Sequence, residues 1–111
     1  MANKMERIQS LIAKNLAEII QFELKDPRLG FISIPEVKVT RDFSYAKIYV
    51  SFYQEENIIQ GLEVLEHSKG FIRSELAKRL DIRRIPELNF VLDETFKKAK
   101  QLEELIGKKI V

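Results

Sequence analysis

The sequence predicts a single two-layer α+β domain in which a three-stranded sheet is covered by helices. Three observations carry that prediction. Residues 36–40, 45–53 and 87–92 alternate apolar and polar side chains at the strand period of two. The segments before and between them repeat apolar residues at intervals of three and four, the helical period. A chain of 111 residues has room for one domain, and at that size about two thirds of the extended surface is buried without help from metals or disulfides.

The first helix opens at Asn3, with Glu6 three residues on as its capping partner. Met5, Ile8, Leu11, Ile12, Leu16, Ile19 and Ile20 form its apolar side. It must end near Leu24 or Lys25, because Pro27 cannot continue a helix and restricts Asp26 before it. Gly30 then permits a turn. In the run FISIPEVKVT, Val37 and Val39 alternate with Glu36, Lys38 and Thr40, and Pro35 implies either that the ladder begins after it or that the strand lies at an edge. Arg41 to Ser44 form a short turn, so the next strand, YAKIYVSFY, pairs antiparallel with the first. Ala46, Ile48, Val50 and Phe52 share one of its faces, and Tyr45, Lys47, Tyr49, Ser51 and Tyr53 share the other. That tyrosine face reads first as packing under a helix or at a half-wet edge, and second as a stacking platform for bases.

Asn57 with Gln60 reads as a second capping box, opening a helix through Ile58, Ile59, Leu62 and Leu65. Gly70 interrupts the pattern, which resumes through Phe71, Ile72, Leu76 and Leu80. Two helices with a bend at Ser68 to Gly70 are therefore expected, not one rod. Pro86 starts the third strand, PELNFVLD, with Leu88, Phe90 and Leu92 on one side. The two-helix crossover lets this strand join the sheet without a hairpin. The core spans about 3–93, and Asp93 caps a terminal helix over about 94–107 that contains Phe96, Ala99, Leu102, Leu105 and Ile106 and stops at Gly107.

Enzyme chemistry finds no support in these residues. With no cysteine and one histidine, disulfides, thiolate ligands, cysteine nucleophiles and histidine metal clusters are excluded. His67 reads as a solvated helix-end side chain, and neither a GxxxxGK[ST] nor a GxGxxG run occurs. No catalytic residue, metal or cofactor is expected. No uncharged apolar stretch approaches membrane-span length, and no apolar leader follows Met1. A soluble, unexported, cytoplasmic protein is expected.

Charge is the informative feature. The total is nearly balanced, 19 Lys and Arg against 17 Asp and Glu, but the window 69–84 holds Lys69, Arg73, Lys78, Arg79, Arg83 and Arg84 against Glu75 and Asp81, net +4. If Gly70 opens a helix, backbone donors beside Lys69 and Arg73 make an anion site, which Lys78, Arg79, Arg83 and Arg84 extend. A glycine at the bend also lets a phosphate backbone come close. The competing reading is a solvated helical face, with Lys78 and Arg79 merely complementing a helix C-terminus.

The runs DPRLGFISI at 26–34, VTRDFSYAKIYVSF at 39–52 and SKGFIRSELAKRLDIRRIPELNFVLD at 68–93, in this order and spacing, resemble the bacterial ribosome-binding factor A family across residues 3–93. The resemblance implies a type II KH-like domain in which a helix-kink-helix with an alanine-x-glycine motif replaces the Gly-x-x-Gly loop. Lys69 and Gly70 occupy the last two motif positions, and Ser68 stands where alanine is usual; serine is small enough to preserve the kink, and its hydroxyl can bond to local backbone. The implied role is non-catalytic: binding the immature 30S ribosomal subunit, assisting late maturation and 5′-end processing of 16S rRNA, and adaptation to cold. A ribosome-associated GTPase acts in release, and the factor is expected to be a monomer. The longer C-terminal extensions of some members give no expectation for a sequence that runs to Val111. Two other readings stay open on the residues alone: a protein-binding adaptor that docks through Tyr49 and Tyr53, and a DNA-binding KH-like module.

Overall fold

Asn3 caps the first helix as its position predicts, accepting a 2.8 Å hydrogen bond at Oδ1 from the Glu6 amide. The computed structural model describes residues 3–94, so the terminal helix expected over about 94–107 lies outside the described residues. Helix α1 runs Lys4–Glu18 and widens into a π-helical turn over Ile19–Leu24. Lys25 ends it in the left-handed region at φ 48. Past that point Asp26 accepts from the Arg28 backbone amide at 2.9 Å, closing a turn around Pro27. Helix termination near Leu24 is thus as predicted; the wide last turn and the left-handed lysine have no local signature in the sequence.

Strands β1 (Ile32–Val39) and β2 (Tyr45–Phe52) pair antiparallel, and β3 (Glu87–Leu92) joins β2 in parallel, giving the order β1-β2-β3. Helices α2 (Ile58–His67) and α3 (Lys69–Arg79) form the crossover. The ladder begins at Ile32, before Pro35, because the register shifts between Ser33 and Glu36. A bulge on an edge strand accepts a residue that cannot donate a ladder hydrogen bond. At the other end of that edge, the Val39 amide donates to Gln9 Oε1 of α1 at 2.9 Å, so the helix satisfies a strand donor left over at the sheet edge.

The helices cover one face of the sheet. Val37, Ala46, Ile48, Val50, Leu88 and Phe90 meet Ile12, Leu16, Ile19, Ile20, Val64, Leu65, Ile72 and Leu76 in one buried cluster. Gly61 in α2 lies against Phe52: a methyl group there would sit 2.2 Å from Phe52 Cε1. The opposite face stays open among the described residues. Tyr45 and Tyr53 are exposed, and Tyr49 is half-buried with the Lys47 ammonium 5.9 Å from its ring centre. The tyrosines lie on the open face of the central strand, neither under a helix nor at an edge, so neither packing arrangement anticipated for them is found among the described residues.

The capping box expected at Asn57 does not form. A 3₁₀ turn over Glu55–Asn57 leads directly into α2, Asn57 is itself helical, and its side chain caps nothing. Its backbone amide donates to Gln54 O at 3.1 Å. Its Nδ2 instead lies where a Cβ on Gly30 would fall, 2.5 Å away, which together with φ +61 explains the glycine.

Candidate nucleic-acid interface

The predicted bend is present, and Ser68 is its pivot. With φ −95 and ψ 5 it separates α2 from α3. Its N–H still donates to Val64 O and its carbonyl accepts from Ile72 N, both at 2.9 Å, so the pivot residue keeps both of its own backbone hydrogen bonds. The Ser68 hydroxyl makes no capping bond. Apolar anchors on either side, Leu65 before the bend and Ile72 and Leu76 after it, keep both helices on the same core.

Gly70 lies in the first turn of α3, exposed, with nothing within 4 Å of where a Cβ would stand. It takes no left-handed φ, unlike Gly30, and it makes no room for a neighbour, unlike Gly61. Glycine inside a helix costs about 1 kcal/mol relative to alanine. Nothing among the described residues accounts for that cost, which leaves the bare backbone available to something outside.

The six basic residues of the segment divide into two groups. Lys69 pairs with Glu66 at 2.9 Å, and Lys78 with Glu75 at 3.1 Å. Arg79 spans to the end of α1, reaching Glu18 at 3.0 Å and Glu23 at 3.3 Å. Arg73 points to the segment before β3, donating from Nη2 to Ile85 O at 2.6 Å and from Nε to Pro86 O at 3.2 Å. It tethers α3 to the entry of β3, a role the charge pattern alone does not reveal. Arg83 and Arg84 lie in the connection beyond α3 and make no hydrogen bond or ion pair among the described residues, although Arg84 feels the Asp42 carboxylate. The ammonium of Lys69 therefore flanks the kink, while the least engaged positive charge sits past the far end of α3, about 16 Å along the helix axis.

That far end holds residues the sequence pattern did not single out. A cleft of about 440 Å³ is lined by Lys4 and Ile8 of α1, Asp42 and Phe43 of the β1–β2 turn, and Asp81, Ile82, Arg83 and Arg84. The turn is organised by Asp42, whose Oδ1 accepts from the Ser44 amide at 3.0 Å and from the Thr40 hydroxyl at 2.9 Å. Those hydrogen bonds, the one from Ser44 foremost, with help from the Arg84 charge, hold its pKa down at about 2. Phe43 adopts φ 60, a left-handed conformation that costs a bulky residue about 1–3 kcal/mol. One clue was available beforehand: short hairpin loops often hold one left-handed residue, and this one offers no glycine or asparagine to take that place.

Among the described residues no group of three or more His, Cys, Asp or Glu side chains is placed to hold a metal, and no helix is long and apolar enough to cross a membrane. His67 closes α2 beside the bend.

Comparison with known proteins adds to this geometry. The family model described as ribosome-binding factor A matches residues 4–106. A ribosome-binding factor A of Neisseria meningitidis serogroup C is 43% identical over 103 residues, covering 93% of this chain and 84% of the relative. That of Chromohalobacter salexigens is 39% identical over 110 residues, covering 96% and 84%. Among solved structures, the crystal structure of ribosome-binding factor A from Thermus thermophilus superposes with a TM-score of 0.74 at 30% identity, over 81% of this chain and 97% of that one. A homology model of the Thermus thermophilus factor, fitted into a cryo-electron-microscopy map of its complex with the 30S subunit, gives a TM-score of 0.67 at 32% identity, over 77% and 90%.

Proposed function

The chain belongs to the ribosome-binding factor A family, and from that membership we propose that it binds the immature 30S subunit through the α2–α3 bend and the arginines beyond α3. Its place is in ribosome assembly, and it acts there without catalysing a reaction. Its fold, with a bent helix pair where other KH-like domains carry a Gly-x-x-Gly loop, is that of the family. By binding 16S rRNA it favours late maturation and 5′-end processing, works in the cytoplasm as a monomer, and leaves the particle with the help of a ribosome-associated GTPase.

One observation carries the RNA-facing assignment: Gly70 is bare and exposed at the bend, and nothing among the described residues requires it to lack a side chain. Ser68 and Lys69 flank it, so a sugar-phosphate backbone can meet exposed peptide groups and an ammonium together. Arg83 and Arg84 supply charge that makes no hydrogen bond or ion pair among the described residues, Arg84 acting on Asp42 only through space. Arg73 and Arg79 hold α3 in place, and Lys78 stays on its solvent side with Glu75.

The test is the salt dependence of binding to purified immature 30S particles. Removing one phosphate contact flattens the slope of log affinity against log salt by roughly 0.7–0.9. Arg83→Gln and Arg84→Gln should each weaken binding and flatten the slope by about that amount, while Lys14→Gln on the polar side of α1 should change neither. Parental slopes in both arginine variants, with the fold intact, would remove this face from the interface. Equal affinity for duplex DNA would favour a general nucleic-acid module instead.

A further inference from the structure

We propose that the cleft between the start of α1, the β1–β2 turn and the α3–β3 connection is a subsite for one unstacked RNA nucleotide, its base lying on Phe43 and its phosphate held by Arg83, Arg84 and Lys4. This rests on the RNA-binding reading and extends it to a second place on the molecule, at the opposite end of α3 from the bend.

The composition of the cleft selects the ligand. Ile8, Phe43 and Ile82 give it an apolar lining, which a phosphate alone has no use for and a base needs. Its charged rim is Lys4, Arg83 and Arg84 against Asp42 and Asp81, an excess of one positive charge, matched to a single phosphodiester. Asp42 is occupied within its own turn. Asp81 makes no hydrogen bond or ion pair among the described residues, so its carboxylate is free to accept from an amino group on a base edge. The volume, about 440 Å³, exceeds the cleft of about 350 Å³ along the β1 edge and that of about 280 Å³ beside Phe31 and Tyr53.

The backbone supplies an independent reason. Phe43 occupies a left-handed conformation that asparagine or glycine adopts far more readily. Four hydrogen bonds around it, among Thr40, Asp42, Ser44 and Tyr45, hold the turn in that shape. A strained aromatic side chain directed into a cleft of this chemistry is what a stacking contact requires.

The full chain, labelled for NMR, is titrated with a single-stranded RNA hexamer of mixed sequence, with adenosine 5′-monophosphate and with inorganic phosphate. The RNA and the nucleotide should shift the Phe43 ring and the Ile8 and Ile82 methyl resonances, whereas phosphate should move the Arg83, Arg84 and Lys4 side chains of the cleft without that ring and those methyl groups. Phe43→Asn suits the left-handed backbone and removes the ring, so the variant should stay folded and bind the hexamer about 5- to 150-fold more weakly, the range for removing one base–aromatic stack. The double variant Arg83→Gln/Arg84→Gln should lose the phosphate response. If the hexamer shifts Ser68, Lys69 and Gly70 but leaves the cleft silent, or if Phe43→Asn binds like the parent, the subsite is refuted while RNA binding at the bend stands. If the hexamer shifts neither region, both readings fall.

Discussion

Replacing Gly70 by alanine should make the protein more stable and a worse partner for the ribosome. The added methyl group meets nothing within 4 Å, so there is no steric penalty to set against the helical preference. Glycine to alanine inside a helix gains about 0.5–1 kcal/mol, less at a first-turn position, and for a domain near this size that corresponds to a rise in Tm of roughly 2–8 °C. Thermal unfolding of the parent and the variant measures this directly. If a sugar-phosphate backbone rests on the bare peptide groups at the bend, the same methyl group holds it away, and affinity for immature 30S particles falls while Tm rises. Gly70→Val should weaken binding further, because its side chain is bulkier and equally unopposed within the fold. Changes of opposite sign cannot come from unfolding, which would lower both quantities. Parental affinity in both variants would show that nothing approaches the bend closely.

Gly61→Ala should act in the opposite way, destabilising the fold by about 1–3 kcal/mol as the Phe52 ring is forced to shift; Phe52→Leu should relieve much of the cost, a coupling readable from denaturant unfolding of the two single variants and the double. Arg73→Gln removes the two bonds to Ile85 O and Pro86 O and should cost about 1–3 kcal/mol; Arg73→Lys should not restore it, because one ammonium cannot reproduce the guanidinium fork. Asp42 carries a pKa lowered from 3.8 to about 2, so its contribution to the turn is complete above the unfolded-state value and is lost as pH falls from about 4 towards 2. The amide resonances of Ser44 and Tyr45 should move in that window, and in Asp42→Asn they should not.

Much of the fold is legible because it follows from period. Alternation placed Ala46, Ile48 and Val50 on the covered face, the spacing of three and four placed Ile12, Leu16 and Ile72 in the core, and Gly70 marked the bend to within two residues of Ser68. What escaped depends on partners far apart in the chain. Arg79 looks like ordinary surface charge until α3 crosses the end of α1 and brings it to Glu18 and Glu23, 61 and 56 residues away. Arg73 looks like its neighbours until β3 enters beside it. Asn57 followed by Gln60 has the composition of a capping box, but a preceding 3₁₀ turn makes Asn57 helical and engages its amide with Gln54 O. The cleft around Phe43 draws on three separate segments, and only the turn's lack of glycine hinted at it. For the candidate interface, the sequence therefore pointed to the bend and to six basic residues, and the structure adds that Lys69, Arg73, Lys78 and Arg79 have partners within the fold.

The central structural claim made for this protein is that the α2–α3 bend faces ribosomal RNA. A chain without cysteine allows a single reactive site to be introduced anywhere, so Ser68→Cys and Lys14→Cys can each be tethered to an iron chelate and bound to immature 30S particles. Hydroxyl radicals released at position 68 should cleave 16S rRNA strongly within one confined region, and those released at position 14 should cleave weakly or elsewhere. Equal, diffuse cleavage from both positions, or stronger cleavage from position 14, would contradict an RNA-facing bend.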